Sequence, residues 1–142
     1  MAGHGTVDGM ADTARIERVR RFWADEIGDP SRDHAIYHPD AVLEFPQSGE
    51  RFEGIENMRA WRHRYPAEVT YHVARITGGD DVVVTELWAR YDGGPWMPGV
   101  QLLEFDGDLV ARERIYVMEA WDAAEWRAPW RSPTPAQPPA PD

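Results

Sequence analysis

The chain has no cysteine, so neither a disulfide framework nor thiol chemistry is available to it. It also has no lysine: all fifteen basic residues are arginine, and against 25 acidic residues they leave a formal net charge of −10. Nucleic-acid binding needs clustered cations that displace phosphate counterions, so no nucleic-acid partner is expected. No apolar run approaches the roughly 18 residues of a spanning helix, which excludes a membrane partner of that kind. The start of the chain lacks a basic segment followed by an apolar core, so no signal peptide is read there. These absences predict a soluble, cytoplasmic protein. In a chain rich in Ala, Gly and Pro, arginine in place of lysine reads as genomic base composition.

Large aromatic side chains are abundant, with seven Trp, five Tyr and four Phe in 142 residues. A chain of this length makes one domain and buries roughly 70 % of its unfolded surface. Its most informative stretch is 37–61, YHPDAVLEFPQSGERFEGIENMRAW. An apolar strand Ala41–Phe45 stops at Pro46, a polar loop returns through Gly49, and Gly54 opens a helix carrying Ile55, Met58 and Trp61 at spacings of three. Ahead of it, Ile16, Val19, Phe22, Trp23 and Ile27 predict a helix over about Met10–Ile27, and Ser31 caps a shorter one through about Tyr37.

Four strands follow, roughly Val69–Thr77, Val82–Tyr91, Trp96–Phe105 and Leu109–Met118, separated by Gly- and Asp-rich turns. Residues 1–9 read as a loose N-terminus and 10–128 as the folded domain. Residues 129–142, with five prolines from Ser132 onward, read as a disordered tail. Helices first and a strand meander after give an α+β class.

This order resembles the nuclear transport factor 2-like superfamily. The segments AVLEFPQSGERFEGIENMRAW, VVVTE, DGGPW and FDGDLVARERIYV resemble its SnoaL-like branch, which includes polyketide cyclases. The resemblance spans about residues 12–128. It implies a curved mixed or antiparallel sheet that, with three N-terminal helices, forms a cone with an internal pocket. Compared with the superfamily's ketosteroid isomerases, the position of the aspartate base is Phe45, the enolate-stabilising tyrosine falls near Arg21, and a second acidic donor falls near Gln101. Phenylalanine cannot take a proton, so that isomerase mechanism is excluded. The Asp-Arg-Asp set of the superfamily's epoxide hydrolases has no clear copy.

Strand alternation assigns faces. A two-residue turn at Gly93-Gly94 would set Val82, Val84, Glu86, Trp88 and Arg90 beside Met97, Gly99, Gln101, Leu103 and Phe105; a three-residue loop would reverse this. The resemblance turns Gln101 inward, hence Glu86 and Trp88 with it, and turns Arg112, Arg114, Tyr116 and Met118 inward as well. The expected pocket then carries Glu86, Tyr116, Arg114 and His72 as catalytic candidates. Arg21, Phe45, Trp61, Trp88, Gln101 and Leu103 are its substrate-binding candidates. The other sheet face would show Val83, Leu87, Tyr91, Val100 and Leu102, apolar enough to predict a homodimer through it.

Each candidate has a second reading. Glu86, desolvated among aromatics, suits a general base, or forms a buried ion pair with Arg114. Tyr116 donates to a developing oxyanion or to a backbone carbonyl. His72 has the intrinsic pKa of a base near neutrality, but its face is not fixed. Arg21 binds a carbonyl or anion at the pocket mouth or is an exposed helix residue. His34 and His38 have metal-pair spacing without a third ligand, so no metal is expected, and no cofactor. The expected function is small-molecule binding, with cofactor-free cyclisation or isomerisation of a largely apolar, polyketide-like carbonyl compound by proton transfer. The alternative is a non-catalytic ligand-binding or accessory protein.

Overall fold

In the computed structural model, residues 2–136 and 141 are described, with side chains from residue 12 onward. Part of the expected Pro-rich tail, 137–140 and 142, therefore lies outside the described residues.

Helix α1 runs Ala2–Arg21, starting ahead of the Met10 that periodicity suggests, and passes into a single π-helical turn, Phe22–Glu26. That turn closes with the Ile27 N–H donating to Phe22 O at 2.9 Å. Glu26 is buried there and accepts two 2.9 Å bonds from the Arg18 guanidinium, which ties the π turn back onto the helix. The widened turn lets Val19, Phe22 and the neighbouring Trp23 pack against the sheet.

The short helix expected at Ser31–Tyr37 is instead a run of turns. Pro30 lies within the run, and the Asp29 carboxylate accepts from the Ser31 backbone and hydroxyl and from Arg32. Such side-chain bonds to nearby backbone compete with a helical ladder.

The sheet has six strands: β1 Tyr37–Phe45, β2 Glu50–Glu53, β3 Val69–Gly79, β4 Val82–Tyr91, β5 Met97–Asp106 and β6 Leu109–Val117. Their spatial order is β2-β1-β6-β5-β4-β3. β1 pairs parallel with β6, and every other pairing is antiparallel. Helix α2, Ile55–Arg62, is the second helix over the sheet, with Met58 fully buried. One face of the sheet is thus covered by the two helices. On it Leu43, Val83, Leu103, Phe105 and Val110 form the core with Val19, Phe22, Ile36 and Met58.

Three irregularities decide which side chains share that face. The β4–β5 turn is centred on Asp92 (φ 51°) and Gly93 (φ 71°), one residue earlier than expected, with Gly94 N–H donating to Tyr91 O. Between that turn and Ala89↔Met97, where the ladder resumes, β5 has two residues against one in β4, so odd residues face odd ones: Thr85 pairs with Gln101 and Leu87 with Gly99. In β6 the register slips between Phe105↔Val110 and Glu104↔Arg112, leaving Ala111 as an extra residue. In β3 it slips between Val73↔Leu87 and Arg75↔Glu86, leaving Ala74 extra. One added residue turns every later side chain to the opposite face.

The facing expectations are corrected accordingly. Glu86, Trp88, Arg112, Arg114 and Tyr116 lie on the face opposite the helices, whereas Val83, Leu87 and Tyr91, expected outside, face the helices. Val100 and Leu102 are on the open face, as expected.

Candidate functional site

Between the sheet and the two helices lies a cavity of about 340 Å³. Phe22, Trp23 and Ile27 of the α1 end, Phe45 of β1, and Trp61 and Tyr65 at the α2 end make its apolar wall, together with Tyr71, Leu87 and Tyr91 from the sheet. Phe45 and Trp61 meet edge to face at 5.7 Å between ring centres, and Phe52 backs both. Trp23 is held by its Nε1–H, which donates to Thr85 Oγ1 at 3.3 Å. Aromatic pairs in these arrangements fix ring orientation as well as burying area.

The polar groups gather at Glu113, whose surface is only 1 % exposed. Its bulged strand presents it on the helix-covered face opposite Leu43 and Leu103. The Tyr37 hydroxyl donates to Oε1, Arg62 Nη2 donates to the same oxygen at 3.3 Å, and Gln101 Nε2 donates to Oε2 at 2.9 Å. Arg62 also donates to the Tyr37 hydroxyl at 3.2 Å, and its guanidinium stacks 5.5 Å from the Trp61 ring centre. A buried carboxylate is stable when a cation and hydrogen-bond donors surround it this way.

Burial raises the Tyr37 pKa far above its usual range, so the phenol keeps its proton. For Arg62, burial alone would lower the pKa, but Tyr37 and Glu113 outweigh it and the guanidinium stays charged. Burial, with contributions from the neighbouring tyrosines, pushes Tyr91 up to about 12, and burial also raises Tyr71.

Behind Arg62, its Nη1 approaches His34 Nε2 at 3.5 Å, and His34 Nδ1 lies 2.6 Å from Asp33 Oδ1. An acceptor at Nε2 places the imidazole proton on Nδ1, where it is donated to Asp33. Burial lowers the His34 pKa, so the ring is neutral near pH 7. Asp33, His34 and His63 also bring three ligand atoms within 4.8 Å of one another. Two histidines and a carboxylate are ligand types for a transition metal. Both ring nitrogens of His34 are engaged, however, and the Arg62 cation lies against one of them. The trio orients Arg62 toward Glu113 and Tyr37 in the form described.

Of the residues singled out from sequence, Phe45, Trp61 and Gln101 line this cavity. Leu103 is on the same face but sits in the packed core. Glu86 is on the open face, paired with Arg75 at 2.7 Å, and its side chain is 37 % exposed. Arg114 shares the open face and pairs with Glu44 at 3.3 Å. Trp88 stands opposite His72 in the ladder and Tyr116 opposite Val100. His72 is exposed and borders a separate, larger hollow of about 600 Å³ between α1 and β3. That hollow is open to solvent, so the enclosed cavity beside Glu113 is the better candidate. Arg21 is exposed and contacts Glu26 at 3.5 Å.

Glu113, Tyr37, Arg62 and His34 were missed as a group. The signals were present: Arg62 follows Met58 by four residues, and Tyr37 begins the odd-numbered series Tyr37, Ala41, Leu43, Phe45.

A SnoaL-like domain model matches residues 16–113. The chain belongs to the SnoaL-like family. Its fold is similar to an NTF-2-like protein of unknown function from Burkholderia xenovorans, at 31 % identity, TM-score 0.79, over 89 % of this chain and 99 % of that one. It is also similar to a protein from Kribbella flavida provisionally described as a ketosteroid isomerase, at 23 % identity, TM-score 0.78, over 90 % and 96 % of the two chains. A provisionally described SnoaL-like polyketide cyclase from Jannaschia matches at 20 % identity, TM-score 0.62, over 75 % and 87 %. The last two likenesses show a shared fold only. The comparison with curated proteins returned no match. The SnoaL-like region ends at Glu113, so it contains every residue of the polar cluster.

Proposed function

We propose that this SnoaL-like chain binds a small, largely apolar carbonyl compound in the cavity and moves a proton on it without a cofactor. The observation that carries this reading is the buried carboxylate of Glu113, set among donors at the end of an aromatic-walled cavity. A volume of about 340 Å³ is at the small end of ligand pockets, which run about 300–1,000 Å³, and suits a compound of one or two rings.

In the proposed step Glu113 takes a proton from the carbon next to a substrate carbonyl. The electron pair moves onto that carbonyl oxygen, giving an enolate. The Trp61 Nε1–H, buried with no partner among the described residues, is available as a donor to that oxygen, and the Arg62 charge favours it further. Return of the proton from Glu113 to a different carbon completes an isomerisation. Alternatively the enolate carbon attacks a second carbonyl, and the resulting alkoxide takes the proton, which completes a ring closure. Phe45, Trp61 and Gln101 are the substrate-binding set, with Gln101 Oε1 offering an acceptor that is otherwise unpaired among the described residues.

The second reading is ligand capture without conversion. It is favoured by the coordination of Glu113, since both its oxygens already accept bonds from within the protein. To take a substrate proton, one of these oxygens would have to give up a donor that it already holds.

The test combines binding and turnover. Aromatic ketones and hydroxyketones are titrated against tryptophan fluorescence, and bound compounds are then incubated and analysed by mass spectrometry. The proton-transfer reading expects conversion by the parent chain and at least about a hundredfold loss of kcat in Glu113→Gln, with binding retained. Saturable binding with no product from any compound supports capture.

A further inference from the structure

Two side chains line both the aromatic-walled cavity and the outer hollow between α1 and β3. They are Trp23 from the π turn and Tyr71 from β3, and their rings meet edge to face at 5.2 Å between centres. No strand lies beyond β3, which ends the sheet on this side. One pair of rings therefore stands between the two spaces.

The two rings are held unequally. The Trp23 indole donates to Oγ1 of the fully buried Thr85 at 3.3 Å, and Phe22 stands edge to face against it at 5.3 Å. Tyr71 is 42 % exposed and sits on a strand paired on one side only, close ahead of the bulge at Ala74. A bulge disrupts the ladder locally, and exposed side chains change rotamer within nanoseconds. Trp23 is thus the fixed side of the partition, and Tyr71 is the side free to turn outward.

The hollow has its own chemistry. Trp23, Val73 and Ile76 give it apolar surface. Arg20 and Arg75 line it too, but each is already paired, Arg20 with Glu17 and Arg75 with Glu86 at 2.7 Å. Those arginines hold acids of their own, so the lining suits a neutral alkyl chain or ring better than an anion.

We propose that cavity and hollow are two chambers of one site, whose occupant is a carbonyl compound with an apolar tail. Its carbonyl end lies beside Glu113 and Trp61, and its tail passes between Trp23 and a displaced Tyr71 into the hollow. This rests on the cavity being the ligand site, not on proton transfer at Glu113. The volumes agree with a two-part occupant. About 340 Å³ suits one or two rings, whereas with the outer 600 Å³ the site nears the upper end of the range of about 300–1,000 Å³ for ligand pockets. A tail gains from the move, because each methylene buried against apolar side chains tightens Kd about fourfold.

The test is isothermal titration calorimetry of the full-length chain with acetophenone, butyrophenone, hexanophenone and octanophenone, which differ only in alkyl length. The parent's affinity is expected to rise at each step, by at least about tenfold in all. Ala24→Trp fills the hollow from the exposed side of the π turn, and Arg20→Trp fills it from the last turn of α1. Circular dichroism checks the fold of each. Either variant is expected to bind acetophenone within about twofold of the parent and octanophenone at least about tenfold more weakly. In Tyr71→Ala, stopped-flow tryptophan quenching should show octanophenone associating at least about tenfold faster, since no ring has to turn first. An affinity that stops rising at butyrophenone overturns the outer chamber and leaves the cavity as a ligand site. So does an octanophenone loss that is absent from both filled variants or shared equally by acetophenone. Association that Tyr71→Ala leaves unchanged overturns the moving ring. A parent that binds none of the four ketones overturns this inference together with the reading of the cavity on which it rests.

Discussion

Gln101 Nε2 donates to Glu113 Oε2 across 2.9 Å, and this bond decides which way the Gln101 amide faces. Turned over, the amide would set its oxygen against a carboxylate oxygen. Glu113 therefore fixes the Gln101 oxygen as an acceptor with no partner among the described residues, in a side chain that lines the cavity. A buried unpaired acceptor costs about 1–3 kcal/mol, which a ligand or water donor would recover.

Exchanging that amide for a carboxyl group puts the relationship under load. Gln101→Glu sets two carboxyl groups at hydrogen-bond distance in a buried site, where both cannot ionise, so the pair holds one proton. Its folded pKa is raised above that of a free glutamate. The folded state then binds more protons than the unfolded one at neutral pH, and stability falls as pH rises. Urea unfolding is expected to find the variant about 1–3 kcal/mol less stable than the parent near pH 7, with the gap narrowing toward about pH 5. A gap that widens on acidification would show that the two side chains are not coupled.

Removing the carboxylate altogether tests what it holds together. Glu113→Ala leaves the half-buried Arg62 cation without its charge partner and the Tyr37 hydroxyl without its acceptor. Breaking a buried pair from one side costs about 3–5 kcal/mol, and thermal and chemical unfolding should both register a loss of that order. Arg62→Met in the same background should recover part of it, because the orphaned charge goes. If the double variant is no more stable than the single one, Arg62 is solvated and the pair is not buried in solution.

The strand windows and the helix over 55–62 are legible in the sequence because turn residues and apolar spacing mark them locally. The face of each side chain is not, because it depends on the count of residues between pairings. An extra Ala111 changes no composition and breaks no alternation that a reader can see, yet it moves Glu113 inward and Arg112 and Arg114 outward. Ala74 does the same in β3, and between β4 and β5 the extra residue is in Pro95-Trp96, which stand against Arg90 alone between the turn and the ladder. Gln101 was placed inward by resemblance, and its neighbours were then chosen by the wrong count. Arg62 drew no notice because His63 and Arg64 follow it in a polar run, although its four-residue distance from the buried Met58 puts it on the sheet side of α2.

The corrected facing makes a sharp statement about Glu86. Its contact is Arg75, at 2.7 Å on the open face, with the two side chains 37 % and 68 % exposed. Exposed pairs of this kind contribute about 0–1 kcal/mol. Glu86→Gln is therefore expected to change unfolding stability by less than about 1 kcal/mol and to leave ligand affinity, read by tryptophan fluorescence, within about twofold of the parent. A larger effect on binding would mean that this strand's faces are assigned the wrong way round.

The chain from Asp33 through His34 to Arg62 carries a pH signature of its own. Burial lowers the His34 pKa below its usual 6.5, and the Arg62 charge adds to this against the opposing pull of the Asp33 hydrogen bond. Below about pH 6.5 the unfolded chain therefore binds a proton at this position that the folded chain resists. The unfolded state binds more protons, so stability rises with pH across the window between the folded value and 6.5 and is fully present above it. One such group sets a limiting slope of about 1.4 kcal/mol per pH unit. His34→Gln has no proton to bind there, so the difference in unfolding free energy between parent and variant should shrink as pH is lowered from about 7 to about 5. Protonation would also remove the acceptor that faces Arg62, so ligand affinity should weaken over the same window in the parent and not in the variant. Parallel pH profiles for the two chains would mean that His34 titrates alike in the folded and unfolded states, and that it does not orient Arg62.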